Sequence, residues 1–314
     1  MAAIIPAGTI AWGLQLPVQS KSTNYAQPWE ADAGPDELSV VATAADRAGA
    51  FYVAVCDHVA IPRPADDVMS STWYDTIATL GWLAAQTERV HLLSHVYVLP
   101  YRHPLQTAKS FLTLDALSGG RAVLGAGAGH LESEFALLGV DHAGRGRAVE
   151  EAIPVIRAAF GDEYPTVGGP GADAGVGVSP RPVRQGGPPI WIGGSSDAAV
   201  RRAAELADGW LPQGPPKIGM RAGIARIREL RVAAGLPEAF DMGVNVEPIH
   251  IGTPSFDVAD WTLTGTPAQI AERLGRYRKL DANQWQLRLL GRSASEVADQ
   301  IERFGAEVWP LVTA

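Results

Sequence analysis

The 314-residue chain contains a single cysteine, Cys56, which excludes an intrachain disulfide framework and any cysteine-built zinc module. Lysine is scarce too. It supplies four of the 26 basic residues, the arginines are scattered, and 34 acidic residues leave a net charge of −8. Contacts to phosphate backbones and anionic lipid need clustered Lys and Arg, so neither nucleic acid nor a membrane surface is an expected partner. No apolar run reaches the roughly 20 residues of a membrane span. The first 16 residues lack the basic segment of a signal peptide and carry Pro6, Gly8 and Trp12, so a cytoplasmic protein is expected. Charged residues are only 19% of the chain and apolar ones 46%, ample material for a core.

Apolar strand-like runs alternate with helical stretches throughout. The runs are Ile10 to Leu16, Phe51 to Cys56, His91 to Leu99, Ala122 to Ala126, Pro189 to Ile192, Trp210 to Pro212, Met242 to Ile251 and Trp285 to Leu290. The first helix opens at Gly34-Pro35-Asp36-Glu37, with proline and acids in its first turn and Gly49 as its stop. Thr266 to Gln269 and Ser293 to Glu296 have capping-box form, and Pro154 predicts a kink or a late start in the helix within Arg145 to Phe160. Eight strand-plus-helix units of about 40 residues imply a parallel sheet closed into a (β/α)8 barrel, one domain over residues 1–314. The rhythm breaks once, before strand five. Residues 161–188 hold eight Gly and five Pro, which predicts an irregular insertion or lid lying over the barrel mouth. An open doubly wound sheet would need a dinucleotide fingerprint. Gly125-Ala126-Gly127-Ala128-Gly129-His130 has His where the third glycine belongs, and no strand-end acid follows about 20 residues on.

Barrel sites form at the C-terminal ends of strands. Those ends carry Gln15, Asp57-His58, Ser94-His95-Val96, Gly127 to His130, Gly193 to Ser196, Glu247 and Arg288. The Gly-Gly-Ser-Ser step suits a phosphate at a helix N-terminus, or equally a tight turn with a serine cap. Asp57-His58 reads as an acid/base pair, as a holder of a planar cofactor edge, or as a hydrogen-bonded structural pair. His91 and His95 share a strand face, but no companion carboxylate is evident and no metal is expected. Gly127 and Gly129 read equally as marks of a crowded rim.

Several blocks, in order, resemble the bacterial-luciferase-like monooxygenase superfamily, and within it the coenzyme F420-dependent oxidoreductases. They are Leu99-Pro100-Tyr101-Arg102-His103-Pro104 through Lys109, Leu114 through Arg121, Leu124 through Gly129, Pro189 through Ser195, and Ala207-Asp208-Gly209-Trp210. The resemblance implies a TIM barrel with a flavin or deazaflavin in its mouth. It places Asp57 and His58 against the ring, and Ser94, His95 and Val96 at a bulge behind it that carries a non-prolyl cis peptide. It also puts Gly127 and Gly129 at the cofactor rim, and Gly193, Gly194 and Ser195 at the phosphate. His130 stands where the glucose-6-phosphate dehydrogenase branch has glutamate. Glu132 and Glu134 are out of register, which disfavours a sugar phosphate. The implied activity is hydride transfer between F420 and a small organic substrate, with His58, or else His130, handling the proton. An FMN-dependent monooxygenase, or a non-catalytic flavin-binding protein on the same fold, is the alternative, and a homodimer is left open.

Overall fold

The computed structural model describes residues 3–166 and 175–314. Eight parallel strands close into a barrel: β1 (Ala11–Gln15), β2 (Tyr52–Val55), β3 (His91–Ser94, resumed at Tyr97–Val98), β4 (Ala122–Gly127), β5 (Ile190–Ile192), β6 (Gly209–Trp210), β7 (Asp241–Asn245) and β8 (Gln284–Leu287). Ala11 pairs with Gln284, Leu92 with Ala122 and Gln284 with Gly243, so the sheet has no free edge. Eight main helices follow them in turn: α1 (Pro35–Arg47), α2 (Thr76–Ala84), α3 (Pro104–Ser118), α4 (Arg145–Gly161), α5 (Asp197–Leu206), α6 (Met220–Ala233), α7 (Pro267–Leu274) and α8 (Ala294–Arg303). Each strand touches both the barrel interior and the helical layer, and β2, β4 and β8 are buried at every position. Such strands read as unbroken apolar runs.

Local sequence explains the helix ends. In α1, Pro35 takes the first position and the Glu37 carboxylate accepts the Gly34 N–H at 2.8 Å. Thr266 and Gln269 form the expected reciprocal box. At Ser293 only half of it forms: Ser293 Oγ accepts the Glu296 N–H, while the Glu296 carboxylate holds the N–H and guanidinium of Arg292. Helix α4 runs through Pro154. Pro154 lies on the exposed face of the helix, where a carbonyl left without its N–H donor is open to solvent rather than to the core.

The core has two layers. Inside the barrel, Tyr52, Ala54, Leu93, Val123, Trp191 and Leu211 pack together, with the Tyr52 and Trp191 rings edge-on at 5.8 Å. The larger layer lies between strands and helices. The Asp241 carboxylate draws the N-terminal segment across the barrel bottom by accepting the N–H groups of Ile4 and Ile5 at 2.9 and 3.1 Å.

The described part of the Gly/Pro-rich segment lies away from the mouth where the sequence placed it. Residues 167–174 lie outside the described residues, but residues 175–188 pack at the barrel bottom. Arg181 donates to the carbonyls of Ala159, Phe160 and Asp162 at the end of α4, and the Asp115 carboxylate near the end of α3 accepts the Val183 N–H at 2.8 Å. Crossover helices run antiparallel to their strands, so the chain leaving α4 must enter β5 from the N-terminal end, away from the mouth. No helix among the described residues is long and apolar enough to cross a membrane.

Candidate active site

The C-terminal ends of the strands surround a cavity of about 670 Å³, within the range of small-molecule and cofactor sites. Its wall includes Gln15, Cys56, Asp57, His58, His95, Val96, Gly129, His130, Gln213, Asn245 and Arg288, all at or just beyond strand ends. The loops above add Tyr25, Met69, Trp73 and Trp261.

His58 leaves β2 and lies edge-on to Trp73, with ring centroids 4.4 Å apart. Its Nδ1–H donates to the Glu134 carboxylate at 2.7 Å. That carboxylate is fully buried and also accepts the Tyr101 hydroxyl at 2.8 Å and the N–H groups of Val59 and Ala60 at 2.6 and 3.1 Å. Burial pushes the Glu134 pKa up, but the hydrogen bonds from His58 and the backbone outweigh it and hold the group below its ordinary value. Glu134 is therefore an anion at neutral pH. It fixes the proton of His58 on Nδ1 and leaves Nε2 as the ring's other nitrogen, on a side chain that lines the cavity. His130 stands beside it, ring centroids 5.7 Å apart, with its pKa lowered by burial and by His58.

Asp57 lines the cavity with its carboxylate engaged by protein donors. Both of its oxygens accept from the Arg102 guanidinium, at 2.6 and 2.8 Å, and it also accepts the Val98 N–H and the Thr76 hydroxyl. The Thr76 hydroxyl is shared with the Cys56 carbonyl, 2.7 Å away, so three full donors and one shared one engage this buried carboxylate. Ser94 is equally committed: its hydroxyl donates to the Gly125 carbonyl and accepts the Gly125 N–H, tying β3 to β4.

Between the halves of β3 the His95–Val96 peptide is cis, as the resemblance implied. Gln213 donates to the His95 carbonyl at 3.1 Å. The His95 ring is buried, which pushes its pKa down to about 4 against the pull of the Leu211 carbonyl. The neutral ring donates from Nε2 to that carbonyl at 2.9 Å and leaves Nδ1 unprotonated, 3.4 Å from the Gln15 amide oxygen. His91 bonds the Phe51 carbonyl, so each of these two rings is tied to a backbone carbonyl. Val96 explains two glycines: a Cβ at Gly127 or Gly193 would lie 2.5 or 2.2 Å from its methyl groups. Gly129, at φ +75°, carries the chain over the rim into the short helix Glu132–Leu137 that delivers Glu134. Gly194, at φ +91°, begins the turn into α5, capped by Ser196 rather than Ser195. The Gly193 to Ser195 turn stands beside the cavity and not in its wall. Glu247, also a strand-end acid, is bound to Arg276 and Tyr277. Burial pushes the Cys56 thiol up to about 12, so it is no nucleophile.

Residues 13–255 match the luciferase-like monooxygenase family model, and the chain belongs to that family. An uncharacterised protein of Mycobacterium tuberculosis is 32% identical over 217 residues, 65% of this chain and 74% of that protein. The coenzyme F420-dependent tetrahydromethanopterin reductase of Methanopyrus kandleri superposes with a TM-score of 0.74 at 18% identity, over 96% of this chain and 99% of that one. A monooxygenase from Streptomyces bottropensis gives a TM-score of 0.73 at 19% identity, over 96% and 99%. The barrel is thus a luciferase-like oxidoreductase or monooxygenase fold.

The cavity wall offers polar groups to the edge of a bound ring system. Gln15, Gln213 and Asn245 line the cavity; the amide nitrogens bond protein groups, and the Asn245 Oδ1 is buried without a partner. An orphaned acceptor in a cavity wall calls for a ligand N–H or a water. The sequence reading left out Gln213, Asn245, Trp73 and the roles of Tyr101 and Arg102. Tyr101 and Arg102 belong to the Leu99–Pro104 block, and that was their only signal.

Proposed function

We propose that the protein is an F420-dependent oxidoreductase that moves hydride between the deazaflavin and a small organic substrate. The observation that carries this reading is the His58–Glu134 pair at the cavity wall. Bound there, the deazaflavin would donate or accept hydride at its ring. Hydride arriving at a carbonyl carbon leaves an oxyanion that needs a proton, and hydride leaving an alcohol requires one to be removed. His58 Nε2 would carry that proton, and the Glu134 carboxylate would stabilise the imidazolium. The likeness to an F420-dependent reductase supports the choice of cofactor. Asp57 would act by anchoring Arg102 and the Val98 backbone beneath the ring, and the backbone at Ser94, His95 and Val96 would form its bed. Gly127 and Gly129 would border the ring, and Gly193, Gly194 and Ser195 would take the phosphate ahead of α5. His130 would be the second proton carrier.

The same reading takes residues 1–314 as one domain acting on small molecules in the cytoplasm. The test is a fluorescence binding panel of F420, FMN, FAD and NADPH, followed by turnover with reduced F420. Oxygen consumption with reduced FMN, without F420 binding, would favour the FMN-dependent monooxygenase reading. Binding without turnover would favour a flavin-binding protein.

A further inference from the structure

Among the described residues, Arg288 is the only lysine or arginine in the cavity wall. It follows β8 in the inward-facing series Gln284, Gln286, Arg288, and one of its amino groups donates to the Tyr25 carbonyl. Among the described residues, no carboxylate lies within ion-pairing distance of it. The acid whose field reaches it most, Glu30, is not a free counter-ion. Its oxygens accept the Val18 and Gln27 N–H groups at 2.8 Å each, and burial pushes its carboxyl towards the neutral form. The other charged groups of the wall have partners, Asp57 with Arg102 and His58 with Glu134. Burial also pushes the Arg288 pKa down, and the fields of Glu30 and Tyr25 offset that only in part, as for a cation held partly out of water. A ligand anion removes that cost.

We infer that the cavity takes a substrate with a carboxylate on an apolar, ring-sized body, and that Arg288 receives the carboxylate. The guanidinium fork matches a carboxylate bidentately, and with no second Lys or Arg in the wall a single negative charge is the better match than a phosphate dianion. Tyr25, Trp73, Trp261, Met69 and Leu289 supply the apolar surround. Strand β1 lies between β8 and β2, so a molecule lying across the end of β1 meets Arg288 on one side and His58 on the other. The reacting carbon is thereby placed away from the carboxylate, towards β2. This inference rests on reading the cavity as the substrate chamber.

The test is a titration of the cofactor-free protein with benzoate, benzamide and inorganic phosphate, followed by tryptophan fluorescence and calorimetry. Wild type should bind benzoate at least about tenfold more tightly than benzamide, and more tightly than phosphate. In Arg288→Met that preference should vanish, and Arg288→Lys should keep part of it. The F420 affinity of Arg288→Met should stay within about threefold of wild type. Equal binding of benzoate and benzamide, no binding of either, a preference that survives Arg288→Met, or tighter phosphate binding would overturn the inference. So would a tenfold loss of F420 affinity in Arg288→Met, which would assign the anion to the cofactor. A circular-dichroism melt confirms that each variant is folded, and Arg288→Gln replaces Arg288→Met if the latter is not. Because the titration omits cofactor, its failure is distinguishable from failure of F420-linked turnover.

Discussion

The Glu134 carboxylate lies 2.7 Å from Nδ1 of His58, although 76 positions separate the two in sequence. Neither half of the pair is informative alone. A histidine after a strand is common, and a glutamate in a six-residue surface helix ordinarily faces water. Together they give a histidine with a fixed tautomer and a buried counter-charge, the arrangement that general acid–base catalysis needs.

The two residues should separate in kinetics. His58→Ala is expected to bind F420 normally and to lose roughly 10²–10⁴-fold in turnover. Glu134→Gln keeps the shape but removes the charge that fixes the ring. It should lose about 10- to 100-fold in kcat, with the pH dependence of kcat displaced and cofactor affinity within about threefold. Steady-state kinetics across pH, paired with F420 titration, checks both. Cofactor affinity lost in His58→Ala, with turnover kept at saturating F420, would make His58 a positioning residue only.

Asp57 and Arg102 form a buried pair, with side chains 1% and 13% exposed. Removing one partner strands the other, so Asp57→Asn and Arg102→Met should each cost about 3–5 kcal/mol in unfolding free energy, and the double variant less than their sum. Denaturant titration of the four proteins measures the coupling. A direct contact between Asp57 and the cofactor predicts the opposite pattern: little change in stability and a large loss of F420 affinity in Asp57→Asn.

How much of this was legible depended on the range of the interactions involved. The barrel strands were visible because strands covered on both faces must be apolar at every position, and that signal is local. The His95–Val96 cis bond came from the resemblance alone, whereas Gly127 and Gly129 already read as marks of a crowded rim. Composition does not show that Val96 occupies the space a Cβ at Gly193 would need. The pairing of Asp57 with Arg102 was not legible, because the arginine arrives from another loop, 45 residues later. Glu134 was set aside as out of register, since the bend at Gly129 that returns it beneath His58 is a property of the folded rim. Residues 175–188 are irregular, as their glycines and prolines predict, but they lie at the barrel bottom and not at the mouth, because a segment that follows a crossover helix leaves it at that end.

Val96 and Gly193 should show compensating substitutions. Gly193→Ala places a methyl 2.2 Å from the Val96 side chain and should cost about 1–3 kcal/mol by overpacking. Val96→Ala in the same protein should recover most of that loss, which thermal melts of the single and double variants would show. Gly194→Val acts differently. Gly194 sits in the left-handed region at φ +91°, and a branched side chain there is strained and obstructs the turn ahead of α5. F420 affinity should fall much more in Gly194→Val than in Ser195→Ala. An unchanged affinity in folded Gly194→Val would remove the phosphate from this turn.

Asp241 gives a pH dependence with a definite sign. Burial raises its pKa to about 6 from the ordinary 3.8, against the N–H groups of Ile4, Ile5 and Trp191 that favour the anion. Between those two pH values the unfolded chain has released the proton and the folded chain still holds it. The stabilisation from this group is therefore complete below about pH 4 and is lost as pH rises through about 6, a change on the order of 2–3 kcal/mol. Asp241→Asn cannot titrate. Its loss of one backbone acceptor is a pH-independent offset, and every other carboxylate and histidine is common to both proteins and cancels in the difference. The melting temperature of Asp241→Asn should thus gain on wild type by several degrees between pH 4 and pH 7 and then run parallel to it. A difference that stays flat across this range would mean that Asp241 is ionised in the folded protein throughout. The N-terminal segment would then be held across the barrel bottom by a charged acceptor rather than a neutral one.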